Sequence, residues 1–116
     1  FLVTYHTCGG TVGIEELIVA NGCDASETLA PVSVGGNQEP WDFKRKVGNR
    51  IALIGGLDQF NTLTAGSAAD IRAMVHRLFE TVGCDGGYIC SCSDHFFETP
   101  VDKIVAFANA AKEGAY

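Results

Sequence analysis

Ile51-Ala52-Leu53-Ile54-Gly55-Gly56-Leu57-Asp58 is the stretch on which the fold turns. Its first four residues are apolar without alternation, the pattern of a strand covered on both faces, as parallel strands between helices are. The glycine pair and Asp58 end that run. Ser67 follows, with Asp70 three residues on, resembling a capping box. Ile71, Met74, Val75, Leu78, Phe79 and Val82 then recur at helical spacing, and Gly83 sits where a C-terminal cap belongs. A buried strand followed by an amphipathic helix is one strand–helix unit.

The same unit recurs on either side. Upstream, Asp24–Thr28 reads as a strand, Leu29–Pro40 as an irregular loop, and about Trp41 to Val47 as a short helix ended by Gly48. Before that, Phe1–Tyr5 reads as a short, fully buried strand ended by His6-Thr7-Cys8-Gly9-Gly10. A helix follows with Ile14, Leu17 and Ile18 on one side and Glu15 and Glu16 on the other, stopped at Asn21-Gly22. Downstream, Gly87-Tyr88-Ile89-Cys90 is a strand. Thr99 as N-cap and Pro100 at the first helical position open a last helix, striped by Ile104, Val105, Ala108 and Ala111. Four strand–helix units in series predict an α/β fold of parallel strands with right-handed crossovers and outer helices. No repeat, linker or low-complexity stretch divides residues 1–116, which read as a single domain.

The chain has 116 residues, is 47% apolar, and carries 14 acidic against 8 basic residues for a formal charge of -6. That balance argues against non-specific nucleic-acid binding, which needs lysine and arginine on phosphate. No apolar run reaches the roughly 18–20 residues of a membrane span, and no secretory leader is visible. Five cysteines without a regular framework predict a reduced, cytoplasmic chain, in which thiols near histidine serve metals or catalysis more often than bridges.

In a parallel α/β fold the C-terminal ends of the strands lie on one rim, where active sites are kept. His6 and Cys8 would share a side there, because alternate strand residues face alike, and their donor atoms suit a tetrahedral zinc. The plainer alternative is a rim histidine beside a buried thiol. Near the fourth strand end, Cys92, Asp94 and His95 are further candidate ligands. Cys90 and Cys92 share one face of that strand, which is either the interior or the helix layer. Cys84, Cys23 and His76 read as structural. Glu27, ending the second strand, suits a general base or the orientation of a metal ligand, or else pairing with a nearby base. Asp58 invites the same catalytic reading, or the capping of a following turn. Lys44-Arg45-Lys46 reads as a solvated face, and Trp41, Phe96 and Phe97 as packing residues.

Together these segments resemble the C-terminal half of the uroporphyrinogen decarboxylase superfamily, which also holds corrinoid- and coenzyme M-dependent methyltransferases. The resemblance rests on His6-Thr7-Cys8-Gly9, Glu27-Thr28-Leu29, Ile51–Ile54 with Gly55-Gly56-Leu57-Asp58, Gly86-Gly87-Tyr88-Ile89, and Ser93-Asp94-His95-Phe96-Phe97-Glu98-Thr99-Pro100, in family order. It implies the last four units of a (β/α)8 TIM barrel, about half of the roughly 250 residues such a barrel takes. It also implies a missing N-terminal half or a homo-oligomer, and an isolated chain without turnover. His-x-Cys-Gly is similar to the methyltransferase branch. There histidine and cysteine hold zinc with a later cysteine, and a substrate thiol takes a methyl group from a methylated corrinoid (methylcobamide) delivered by a corrinoid protein. His6 and Cys8 match that pattern. The late cysteine falls at Asp94, with Cys92 two residues before it, so Cys92, Asp94 and His95 compete for the third position. The alternatives are a cofactor-free uroporphyrinogen decarboxylase of porphyrin biosynthesis, whose site would need arginines for substrate carboxylates, and a non-catalytic half-barrel.

Overall fold

A computed structural model of the chain describes residues 1–114. Four strands alternate with four α-helices: β1 (Thr4–His6), α1 (Glu15–Ala20), β2 (Ala25–Thr28), α2 (Pro40–Val47), β3 (Ala52–Leu57), α3 (Ala68–Thr81), β4 (Tyr88–Cys92) and α4 (Val101–Glu113). The strands are all parallel, in the spatial order β1-β2-β3-β4. Each successive strand is added beside the last, as in one half of a TIM barrel.

Register sorts the side chains. His6, Glu27, Ile54 and Ile89 are matched across the four strands and share one face. The opposite face, carrying Leu53, Leu57 and Tyr88, meets the helices and forms the core with Val47, Ile71, Val75, Leu78 and Val82. The predicted stripe of α3 faces this core, and its N-terminus is closed as expected. Ser67 Oγ accepts from the Asp70 backbone N–H at 3.1 Å, while Asp70 Oδ2 accepts from the Ser67 N–H at 2.8 Å.

Several expectations need correction. β1 is not buried: Thr4, Tyr5 and His6 are all exposed, and among the described residues β2 is its one strand neighbour. β3 does not stop at Ile54. It runs through both glycines to Leu57, since Gly55 and Gly56 take φ of 118° and 95°, open to residues without a Cβ. Glu15 is not on a solvated face. It is buried beside Ile18, one turn along, and is bound by Lys46, Gln38 and the Gly13 N–H, whereas Leu17 is exposed.

At α4 the cap shifts by one residue. Pro100 is the N-cap, and the Thr99 hydroxyl is instead shared with Thr64 Oγ1 at 2.7 Å. The inward side of α4 is Phe107, Ala110 and Ala111, with Val105 exposed. Two short elements lie outside the four strand–helix units. One is a 3-10 turn at Val32–Val34, inside the long loop. The other is a π-helix at Gln59–Thr64, directly after β3, with Leu63 N–H bonded to Asp58 O and Ala65 N–H to Phe60 O, each at 2.9 Å. Among the described residues no helix is long and apolar enough to cross a membrane.

Candidate metal centre at the strand rim

Three strand ends converge on an open cleft of about 260 Å³ lined by His6, Glu27, Thr28, Ile54, Cys92, Asp94 and His95, among others. Its centre is a chain of contacts. Glu27 Oε1 lies 2.8 Å from His6 Nδ1, and His6 Nε2 lies 2.8 Å from Cys8 Sγ. Cys8 Sγ is in turn 3.8 Å from Asp94 Oδ2, across 86 residues of sequence. Register explains the first link, since His6 and Glu27 are Cα partners on neighbouring strands. With the carboxylate on Nδ1, the imidazole keeps its proton there and presents the Nε2 lone pair to the sulfur.

Asp94 also binds its neighbour. Its Oδ1 accepts from the His95 backbone N–H and lies against His95 Nδ1, both at 2.7 Å. The His95 backbone N–H, ahead of its ring, holds the Asp94 carboxyl below the usual range despite some desolvation. Beneath Asp94, buried Ser93 donates its hydroxyl to Gln59 Oε1 at 2.6 Å and its N–H to Leu57 O at 2.8 Å, fixing the end of β4 to the end of β3. The His95 ring packs edge-on against Phe97.

Of the late candidates, Asp94 is the one in contact with Cys8. Cys92 is matched with fully buried Leu57 and packs with Cys90 against the core, so the face shared by these two cysteines is the helix layer. Burial, with a smaller push from Cys90, raises the Cys92 thiol to about 11. Asp58 does not line this cleft. It borders a different cavity, of about 340 Å³, with Ser33, Trp41 and Arg77 among its walls. Its carboxylate accepts from the Phe60 and Asn61 N–H groups, the Ser33 hydroxyl and the Asn61 amide, so it caps the π-helix. Burial raises its pKa, but those four donors together outweigh burial and leave it lowered.

Zinc bonds of about 2.0–2.1 Å to nitrogen and about 2.3 Å to sulfur at a tetrahedral angle separate the two donors by roughly 3.5 Å. Opening the His6–Cys8 contact by less than about 1 Å would therefore seat such an ion. Among the described residues, no three His, Cys, Asp or Glu side chains stand as a finished metal-holding group. His6 and Cys8 are a pair of potential donors in contact, with a carboxylate behind the histidine and a second carboxylate 3.8 Å from the thiol. The nitrogen, sulfur and oxygen donors suit zinc.

The sequence model of the uroporphyrinogen decarboxylase family matches residues 1–114. The chain belongs to the uroporphyrinogen decarboxylase family. Among solved structures, a methyltransferase from Methanosarcina mazei superposes with a TM-score of 0.74 at 20% sequence identity, over 97% of this chain and 31% of that one. The chain thus spans about a third of that methyltransferase's length, and the likeness is one of fold. No match is found among curated proteins.

Thr28 and Gln59 are legible as polar residues at strand ends, but their partners are not: the Thr28 hydroxyl donates to the Thr7 carbonyl and Gln59 Oε1 accepts from the Ser93 hydroxyl, contacts across 21 and 34 residues that a single sequence does not display.

Proposed function

We propose that this uroporphyrinogen decarboxylase family chain carries the zinc-binding, thiol-activating part of a corrinoid-dependent methyltransferase. The carrying observation is the Glu27–His6–Cys8 series of contacts with Asp94 beside the thiol. His6 Nε2 and Cys8 Sγ would hold the ion, with Asp94 as third protein ligand in place of a cysteine. Zinc, when bound, stabilises a substrate thiol as thiolate at neutral pH, which makes it the acceptor of a methyl group from methylcobamide. Glu27 keeps the His6 ring in place, and a substrate thiol and a corrinoid protein would approach the ion from the rim.

The decarboxylase alternative is supported less well. Such a site needs guanidinium groups for substrate carboxylates, and no arginine is among the cleft-lining residues described. Arg45, Arg50 and Arg72 instead pair with Asp42, Glu16 and Glu113, and Arg77 lies over Trp41.

Metal analysis of the purified chain tests the proposal. One zinc per chain is expected, lost in Cys8→Ala and His6→Ala. A metal-free chain that binds porphyrinogens would overturn it.

A further inference from the structure

Two residues without glycine's freedom stand in left-handed backbone at the end of β2: Thr28 at φ 90° and Leu29 at φ 47°. For a β-branched residue this conformation costs on the order of 1–3 kcal/mol and persists only where surrounding structure enforces it. Such residues gather at functional sites, and Thr28 immediately follows Glu27. Three observations say what the strain achieves. First, the Thr28 hydroxyl donates to the Thr7 carbonyl, the peptide between His6 and Cys8. Second, the Thr28 carbonyl lies so close to β3 that a Cβ on its register partner Gly55 would sit 2.3 Å from that oxygen. Third, the Thr7 hydroxyl is buried and, among the described residues, has no partner, so Thr7's own side chain does not anchor the segment.

We propose that Thr28 is a positioning residue for the His6–Cys8 pair, its hydroxyl holding the Thr7 carbonyl while Gly55 makes room for the left-handed turn this requires. β2 then grips the His6-Thr7-Cys8 segment twice from consecutive residues. Glu27 fixes the ring of His6 from the inner face, and Thr28 fixes the backbone that leads to Cys8. Without the second grip the thiol is free to swing away from Nε2.

The metal part of the test rests on the proposed zinc reading; the geometric part does not. Thr28→Val keeps the β-branched shape and removes the hydroxyl. Thr28→Gly removes the hydroxyl and the strain together, so misfolding from strain cannot explain its behaviour. Thr28→Ser keeps the hydroxyl and is the rescue. Crystal structures of the metal-free 116-residue chain should show His6 Nε2 and Cys8 Sγ in contact in the parent and in Thr28→Ser, and separated in Thr28→Val and Thr28→Gly. Cobalt(II), read by its thiolate charge-transfer absorption, should bind Thr28→Ser like the parent and the other two at least about 10-fold more weakly. Retention of the contact in Thr28→Gly, or cobalt affinity there within about 2-fold of the parent, would overturn the proposal. If the parent itself does not bind cobalt, the zinc reading fails, and the His6–Cys8 separation alone decides the role of Thr28.

Discussion

Glu27 and His6 stand opposite one another on neighbouring strands, and the carboxylate of the first meets Nδ1 of the second at 2.8 Å. That one contact leaves Nε2 as the lone-pair nitrogen and aims it at Cys8. Partners that orient a metal-binding histidine typically contribute 10–100-fold in affinity. Glu27→Ala should therefore weaken cobalt or zinc binding by about 10–100-fold in a metal titration. Because the pair is half-exposed, the same change should move folding stability by no more than about 0.5 kcal/mol in urea denaturation.

Gly55 is a position where no side chain fits. Its φ is 118°, and an added Cβ would lie 2.3 Å from the Thr28 carbonyl oxygen, a backbone atom that has no rotamer by which to move away. Gly55→Ala should destabilise the chain by about 2–4 kcal/mol, combining left-handed strain with overpacking. A lowered urea midpoint at unchanged slope is the expected signature. A midpoint equal to the parent's would contradict the close approach of β2 and β3.

The alternation of strands and helices was legible because apolar residues recur at helical spacing, as in Ile71–Val82, or run without a break, as in Ile51–Ile54. The capping box of Ser67 and Asp70 was legible because it is local. Exposure of β1 was not, since Phe1–Tyr5 looks the same whether or not a further layer covers it. The burial of Glu15 is not legible because its partner, Lys46, lies 31 residues away on another helix. At the rim, spacing alone paired His6 with Cys8. Which of Cys92, Asp94 and His95 lies beside Cys8 is visible only in the folded chain, where Asp94 makes that contact and Cys92, on the same face as its register partner Leu57, packs against the core. Asp58 reads equally as catalyst or cap, and its four donors show the cap.

Asp58 gathers two backbone N–H groups, a hydroxyl and a side-chain amide in a buried position. Removing the carboxylate leaves those donors without their acceptor and opens the first turn of the π-helix. Asp58→Ala should cost about 2–3 kcal/mol, while Asp58→Asn, which keeps one acceptor oxygen, should cost less. Thermal melts of the two variants check the order. Equal stability of both with the parent would mean that the cap contributes nothing.

Glu15 is one of several carboxylates held below their ordinary pKa, and it is buried. Its bond to Lys46, the largest influence, together with the backbone at Glu15 and Gly13 and the Gln38 amide, lowers its pKa from 4.5 to about 2 against a desolvation push upward. A carboxylate whose folded pKa lies below its unfolded value binds fewer protons folded than unfolded. Its stabilisation is therefore complete above the unfolded pKa and is lost as pH falls through the window from 4.5 to about 2. Lys46 is half-exposed, so solvent screening reduces the contribution to about 1–2 kcal/mol. Glu15→Gln should lower stability at pH 7 by about that amount and flatten the decline between pH 5 and pH 2, roughly the range in which this carboxylate takes up its proton. Urea midpoints measured at half-unit pH steps would show this. Parallel pH profiles for parent and variant would show that other acids cause that decline.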